Sequence, residues 1–167
     1  NRRKRLNQKI DKLKDATHRM RKHLLALRSR LPSPLAEKLK PNFRTLTRQQ
    51  PPLSDKYLIP SMQACMTIVR ETLRFNQRFH TVRRILTTPD GDRREMKVMY
   101  LGLANAFGVS TGGNTPVACR GVPSKNGWNW SWNKQWVKPI RHVFRVHERQ
   151  EPASFVDLPL VSNREED

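Results

Sequence analysis

The sequence predicts an α+β chain, with an N-terminal coiled-coil helix followed by a small domain of helices and an antiparallel β-sheet. Three observations carry this. Apolar residues recur in alternating steps of four and three over the first 31 positions, and after Phe79 the period shortens towards two on both sides of a turn signal. An apolar stripe at helical spacing then returns between Lys134 and His147. A period near 3.5 marks a helix that faces another helix, and a period of two marks a strand with one buried face.

The first element carries Leu6, Ile10, Leu13, Thr17, Met20, Leu24, Leu27 and Leu31, a heptad seam with one polar lapse at Thr17. Residues 1–31 are read as a coiled-coil stem, the end of a longer coil, whose partner-binding residues are Leu6, Ile10, Leu13, Met20, Leu24, Leu27 and Leu31. The alternative is an ordinary amphipathic helix lying on the chain's own core. Pro32 and Pro34 end the stem, because proline lacks an amide donor and turns the preceding residue away from helical angles. Leu35 to Lys40 then make a short helix closed by Pro41, so that 32–53 is a Pro-rich hinge.

Residues 54–160 are expected to form the small α+β domain. Ser54 caps a helix running to about Phe75, with Tyr57, Met62, Cys65, Met66, Val69 and Leu73 as its apolar positions and Pro60 set to kink or delay it. Phe79 to Thr87 and Arg93 to Tyr100 flank Thr88-Pro89-Asp90-Gly91-Asp92, a hairpin turn. Leu101 to Val109 continues as a strand or bends at Gly102, Thr111 to Asn114 turns, and Thr115 to Val122 returns. A further turn over Pro123 to Gly127 leads into Trp128 to Trp132. Lys134 to His147 is a helix that packs on the sheet, Pro152 to Leu160 is extended, and 161–167 is a charged tail.

The formal charge is +19, and residues 1–50 carry most of it, with sixteen lysines and arginines against Asp11, Asp15 and Glu37. Such a field attracts anions of many kinds, so nonspecific nucleic-acid binding is expected from charge alone. Two stems of this charge repel each other, which favours an acidic partner helix or a missing acidic arm of the coil. No apolar run approaches the length of a transmembrane segment. With Asn1 in first place and no apolar signal core after the basic start, the chain reads as a processed product or a fragment. Cys65 and Cys119 make neither a disulfide framework nor a metal motif, and one bridge stays open to them in an oxidising compartment.

Chemistry-bearing motifs are weak. Gly108-Val109-Ser110-Thr111-Gly112 fits a nucleophile-elbow pattern, but Gly113, Asn114 and Pro116 forbid the helix that must follow, so it is read as a turn. His18 and His23, like His142 and His147, are five apart and do not share a helical face, so no metal site is expected. No closely spaced carboxylate pair stands near a histidine in sequence, although groups distant in the chain can converge. The expectation is accordingly no catalytic residue, no cofactor and no enzyme. Trp128, Trp130 and Trp132 alternate along one strand and share a face, which is either core against the following helix or a surface that stacks a ligand.

Several motifs in order carry a resemblance: Phe75-Asn76 at a helix end, Tyr100-Leu101-Gly102-Leu103-Ala104-Asn105-Ala106-Phe107 after a hairpin, Gly127-Trp128-Asn129-Trp130, and Pro152-Ala153-Ser154-Phe155-Val156-Asp157-Leu158-Pro159. Over about residues 53–160 the chain resembles a bacterial periplasmic coiled-coil family of unknown function, domain of unknown function 3450. The resemblance implies a periplasmic location, a coiled coil before a small C-terminal domain, and association with TonB/ExbB/ExbD-type biopolymer transport systems. It supplies no site residue. The expectation it sets is a scaffold or accessory protein that meets a protein partner, self or hetero, through helix–helix packing. A basic RNA-binding or ribosome-associated protein is the alternative.

Overall fold

The computed structural model describes residues 2–48 and 54–160. The end of the expected hinge, 49–53, and the charged tail, 161–167, lie outside the described residues. The chain divides into two compact units, Asn1–Phe75 and Asn76–Asp167. The helix after Ser54 therefore falls with the N-terminal helices and not, as its sequence neighbourhood suggested, with the sheet.

The first unit is helical: α1 (Arg2–Leu27), a 3-10 turn (Arg28–Arg30), α2 (Ser33–Thr47) and α3 (Asp55–Asn76). Helix α2 is longer than the short helix expected, because Pro41 sits inside it. An interior proline forfeits one backbone hydrogen bond and costs about 3 kcal/mol. Continuing past it brings Phe43 and Leu46 onto the stripe begun by Leu35 and Leu39, and all four are buried. Burying two large side chains, at about 1.5–3 kcal/mol each, outweighs that cost. Pro60 is likewise inside α3, which starts directly after Ser54. Here Leu58, Ser61, Ala64, Cys65 and Ile68 form a continuous buried stripe on both sides of the proline.

Polar contacts tie the three helices together. The Arg21 Nε donates to the Leu46 carbonyl at 2.7 Å, Lys14 meets Asp55 at 2.5 Å, and the Arg28 guanidinium lies 5.6 Å over the Phe43 ring. Lys38 donates to Glu71 at 2.6 Å, and with Arg74 and Arg70 beside it this bond holds the Glu71 carboxyl below its ordinary range.

The second unit is a five-stranded antiparallel meander in the order β1 (Phe79–Thr87), β2 (Arg93–Leu101), β3 (Asn105–Ser110), β4 (Ala118–Ser124) and β5 (Gly127–Trp132). It ends in a 3-10 turn (Lys134–Trp136) and α4 (Val137–His147). The chain bends at Gly102, one of the two routes its sequence left open. Gly102 has φ of 59°, and a β-carbon there would stand 2.5 Å from the Asn76 Oδ1, so only glycine fits. That same oxygen accepts a hydrogen bond from the Leu103 amide at 3.1 Å.

Register assigns the faces. Met99 pairs with Phe107, and Val109 with Ala118, placing these four on the face that packs against Val137, Ile140 and Phe144 of α4. Leu158 of the irregular C-terminal segment joins the same core. The opposite face carries Met96, Val98, Tyr100, Ala106 and Cys119, all fully buried.

Candidate functional site

Of the two regions singled out by sequence, the seam of α1 is divided by the fold. Heptad spacing makes two rows of it: Ile10, Thr17, Leu24 and Leu31 on one, Leu6, Leu13, Met20 and Leu27 on the other. The first row turns inward. Thr17 and Leu24 are buried, and Ile10 and Leu31 are half-buried. The polar lapse at Thr17 costs little there, since its hydroxyl donates to the Leu13 carbonyl at 2.8 Å. Half-buried Lys14 and Arg21 flank this row and carry their charged ends to Asp55 and the Leu46 carbonyl.

The second row faces out. Leu6 is 57% exposed, Leu13 and Met20 41%, and Leu27 44%. Each of these is a large apolar side chain at seven-residue intervals, which is the repeat one helix presents to another. Helix α3 repeats the arrangement with Ile59, Met66 and Leu73, all exposed and seven apart. The sequence reading placed Met66 and Leu73 among the apolar positions of that helix without separating outward from inward. The missing signal was the pairing of each helix with two others, which no local period records.

The tryptophans do share a face, and it is the face away from α4. Register pairs Trp132 with Cys119, Trp130 with Gly121 and Trp128 with Pro123, whereas α4 lies over the side of Ala118. The expectation that the following helix would bury them is corrected on this point, because a helix leaving β5 can return to either side. All three indoles are half-buried. The Trp130 ring lies on the backbone of Gly121, where a β-carbon would approach its atoms to 2.7 Å. Trp128 meets Tyr100 edge-to-face at 5.1 Å between centroids, and Arg84 donates to the Tyr100 hydroxyl at 2.8 Å. The Trp128 Nε1 is buried without a hydrogen-bond partner. Trp136, by contrast, packs on the α4 core with the Arg120 guanidinium 5.5 Å over its ring.

Ser110 ends β3 with its side-chain oxygen accepting from the Val117 amide at 3.1 Å, inside the turn geometry expected of that glycine-rich stretch. Cys65 and Cys119 are free and buried. Burial raises both thiols, and pushes Cys119 up to about 12 against the opposing hydrogen bond from the Gly108 backbone. Among the described residues no three His, Cys, Asp or Glu side chains gather as a metal would need, and no helix is long and apolar enough to cross a membrane.

A cluster that the sequence reading missed lies at the C-terminal end of α4. His142, Glu151 and Ser154 are nine and three residues apart, across a helix end and a turn, so no fixed-period motif contains them. Arg149 adopts a left-handed conformation (φ 59°) directly after the helix cap, and the Gln150 amide returns to the Arg145 carbonyl at 2.8 Å. This corner folds the chain back towards α4. Neither a family model, nor a curated protein, nor a solved structure matches the chain.

Proposed function

We propose that the protein is a docking scaffold whose helical unit receives the helix of an acidic protein partner, at the bacterial envelope and in association with a TonB/ExbB/ExbD-like transport system. The observation that supports the docking reading most directly is the outward row Leu6, Leu13, Met20 and Leu27. Covering Leu13 and Met20, each about two-fifths exposed, contributes on the order of 1 kcal/mol apiece. The surrounding arginines and lysines choose the partner's charge, since a second copy would bring an equally basic helix against them. The envelope location rests on the resemblance described above.

The test is the native mass and partner capture of the chain by light scattering and co-purification at low and high salt, beside the double variant Leu13→Glu, Met20→Glu. A defined complex that survives high salt and is lost in the variant supports the reading. A chain whose associations are unchanged in the variant overturns it. The net +13 of the first 50 residues favours a second reading, in which the partner is RNA. Binding that prefers one RNA and persists at high salt belongs to that reading, whereas binding that dissolves with salt reflects charge alone.

A further inference from the structure

Ser154, His142 and Glu151 stand in the relation of nucleophile, base and orienting acid. The His142 Nε2 lies 2.6 Å from the Ser154 Oγ, and its Nδ1 lies 2.5 Å from a Glu151 carboxylate oxygen. The other Glu151 oxygen pairs with the Arg145 Nε at 2.6 Å, a second hold on the carboxylate that faces the imidazole. In the tautomer that carries its proton on Nδ1, facing Glu151, the Nε2 lone pair is directed at the serine hydroxyl. Those are the two bonds an activated serine requires, recognised by geometry and role irrespective of chain order.

Surroundings separate this arrangement from a simple fastening of the C-terminal segment. Ser154 is exposed, and it is one of the residues lining an apolar cavity of about 290 Å³, with Phe79, Met99, Val143, Val156 and Leu158. The segment is anchored independently, because Arg120 donates to the Pro159 carbonyl at 3.1 Å and Leu158 packs into the α4 core. A hydroxyl poised on a base, open to solvent and beside a cavity at the small end of ligand-pocket sizes, has what a short acyl chain needs.

We propose that the second unit is a serine hydrolase for esters of short acyl chains, with the acyl group in this cavity. The Ser154 Oγ attacks the ester carbonyl carbon while its proton passes to the His142 Nε2, and the carbonyl electron pair moves onto oxygen. Collapse of the tetrahedral intermediate breaks the bond to the alcohol, which leaves with the proton from His142. The acyl group remains on Ser154 until water, deprotonated by the same Nε2, attacks it and releases the acid. Ser154 and His142 are the catalytic residues; Glu151 and Arg145 are positioning residues.

The deciding experiment treats the folded full chain with an alkyl fluorophosphonate and maps the adduct by mass spectrometry, then measures hydrolysis of p-nitrophenyl butyrate and palmitate. The expected result is one adduct, on Ser154, formed as the Oγ displaces fluoride. Butyrate is expected to turn over faster than palmitate, and at least tenfold faster than with Ser154→Ala. Glu151→Gln is expected to lower kcat with KM little changed, a split that a purely structural role would not produce. An unlabelled Ser154 in folded wild-type protein, or hydrolysis equal in wild type and a folded Ser154→Ala, overturns the proposal. If Ser154→Ala does not fold, the adduct position in the wild type decides alone.

Discussion

The two units satisfy their apolar residues in opposite ways. In the central strands of the sheet both faces are covered: Met99, Phe107 and Val109 lie under α4, and on the other side Val98, Tyr100 and Cys119 have almost no exposure. In the helical unit α1 and α3 bury one row each and leave a second row of large side chains outside, at seven-residue spacing. Isolated exposed apolar residues are ordinary in proteins, but a repeated row is not. The contrast teaches that the central strands leave no apolar row exposed, while the helical unit has contact surface left over.

The sharpest way to break the comparison is to empty each core in turn. Phe43→Ala in α2 and Ile140→Ala in α4, both 1% exposed in the native chain, are expected to cost about 3–5 and about 2–5 kcal/mol respectively, read by chemical denaturation. A cost below about 1 kcal/mol at either place would mean that its unit lacks the packed centre described. Alkaline pH tests the sheet unit next. Cys119 stays protonated when folded up to about 12, whereas an unfolded thiol ionises near 8.5, so the unfolded chain binds fewer protons in between. The stability from this group is complete below about pH 8.5 and declines by about 1.4 kcal/mol per pH unit until the folded thiol titrates. Replacing Cys119 by Ala removes that slope, which denaturation between pH 9 and 11 would reveal.

A smaller effect concerns the aromatic strand. Gly121→Ala drives a methyl group into the Trp130 ring and is expected to cost about 1–3 kcal/mol, with a change in tryptophan fluorescence. The smallest effect on stability belongs to the outward row. Met20→Ala should change the unfolding free energy of the chain by less than about 1 kcal/mol, against about 2–5 for Leu24→Ala one row away. Equal costs would mean that the two rows are not distinct.

The sequence disclosed what is local. Thr88 to Asp92 carries its turn chemistry within five residues, and the strands on either side formed as their alternation predicts. Helix α4 followed from the spacing of Val137, Ile140 and Phe144. Pro41 misled because a proline's cost is visible in sequence while the burial that offsets it, at Phe43 and Leu46, is a property of neighbouring helices. For the same reason the heptads of α1 were visible and their division into two rows was not. His142, Glu151 and Ser154 were hidden because the corner at Arg149 brings them together, and nothing about an arginine announces a left-handed backbone.

That corner has a consequence for how the protein tolerates change. Left-handed angles cost a side-chain-bearing residue about 1–2 kcal/mol, and glycine would relieve this. Arg149→Gly therefore has little reason to harm folding, yet it loosens the one bend that returns Glu151 and Ser154 to His142. The chain keeps a taut corner where a relaxed one would fold as well, so variation at this position will be felt in the arrangement it holds before it is felt in the melting temperature.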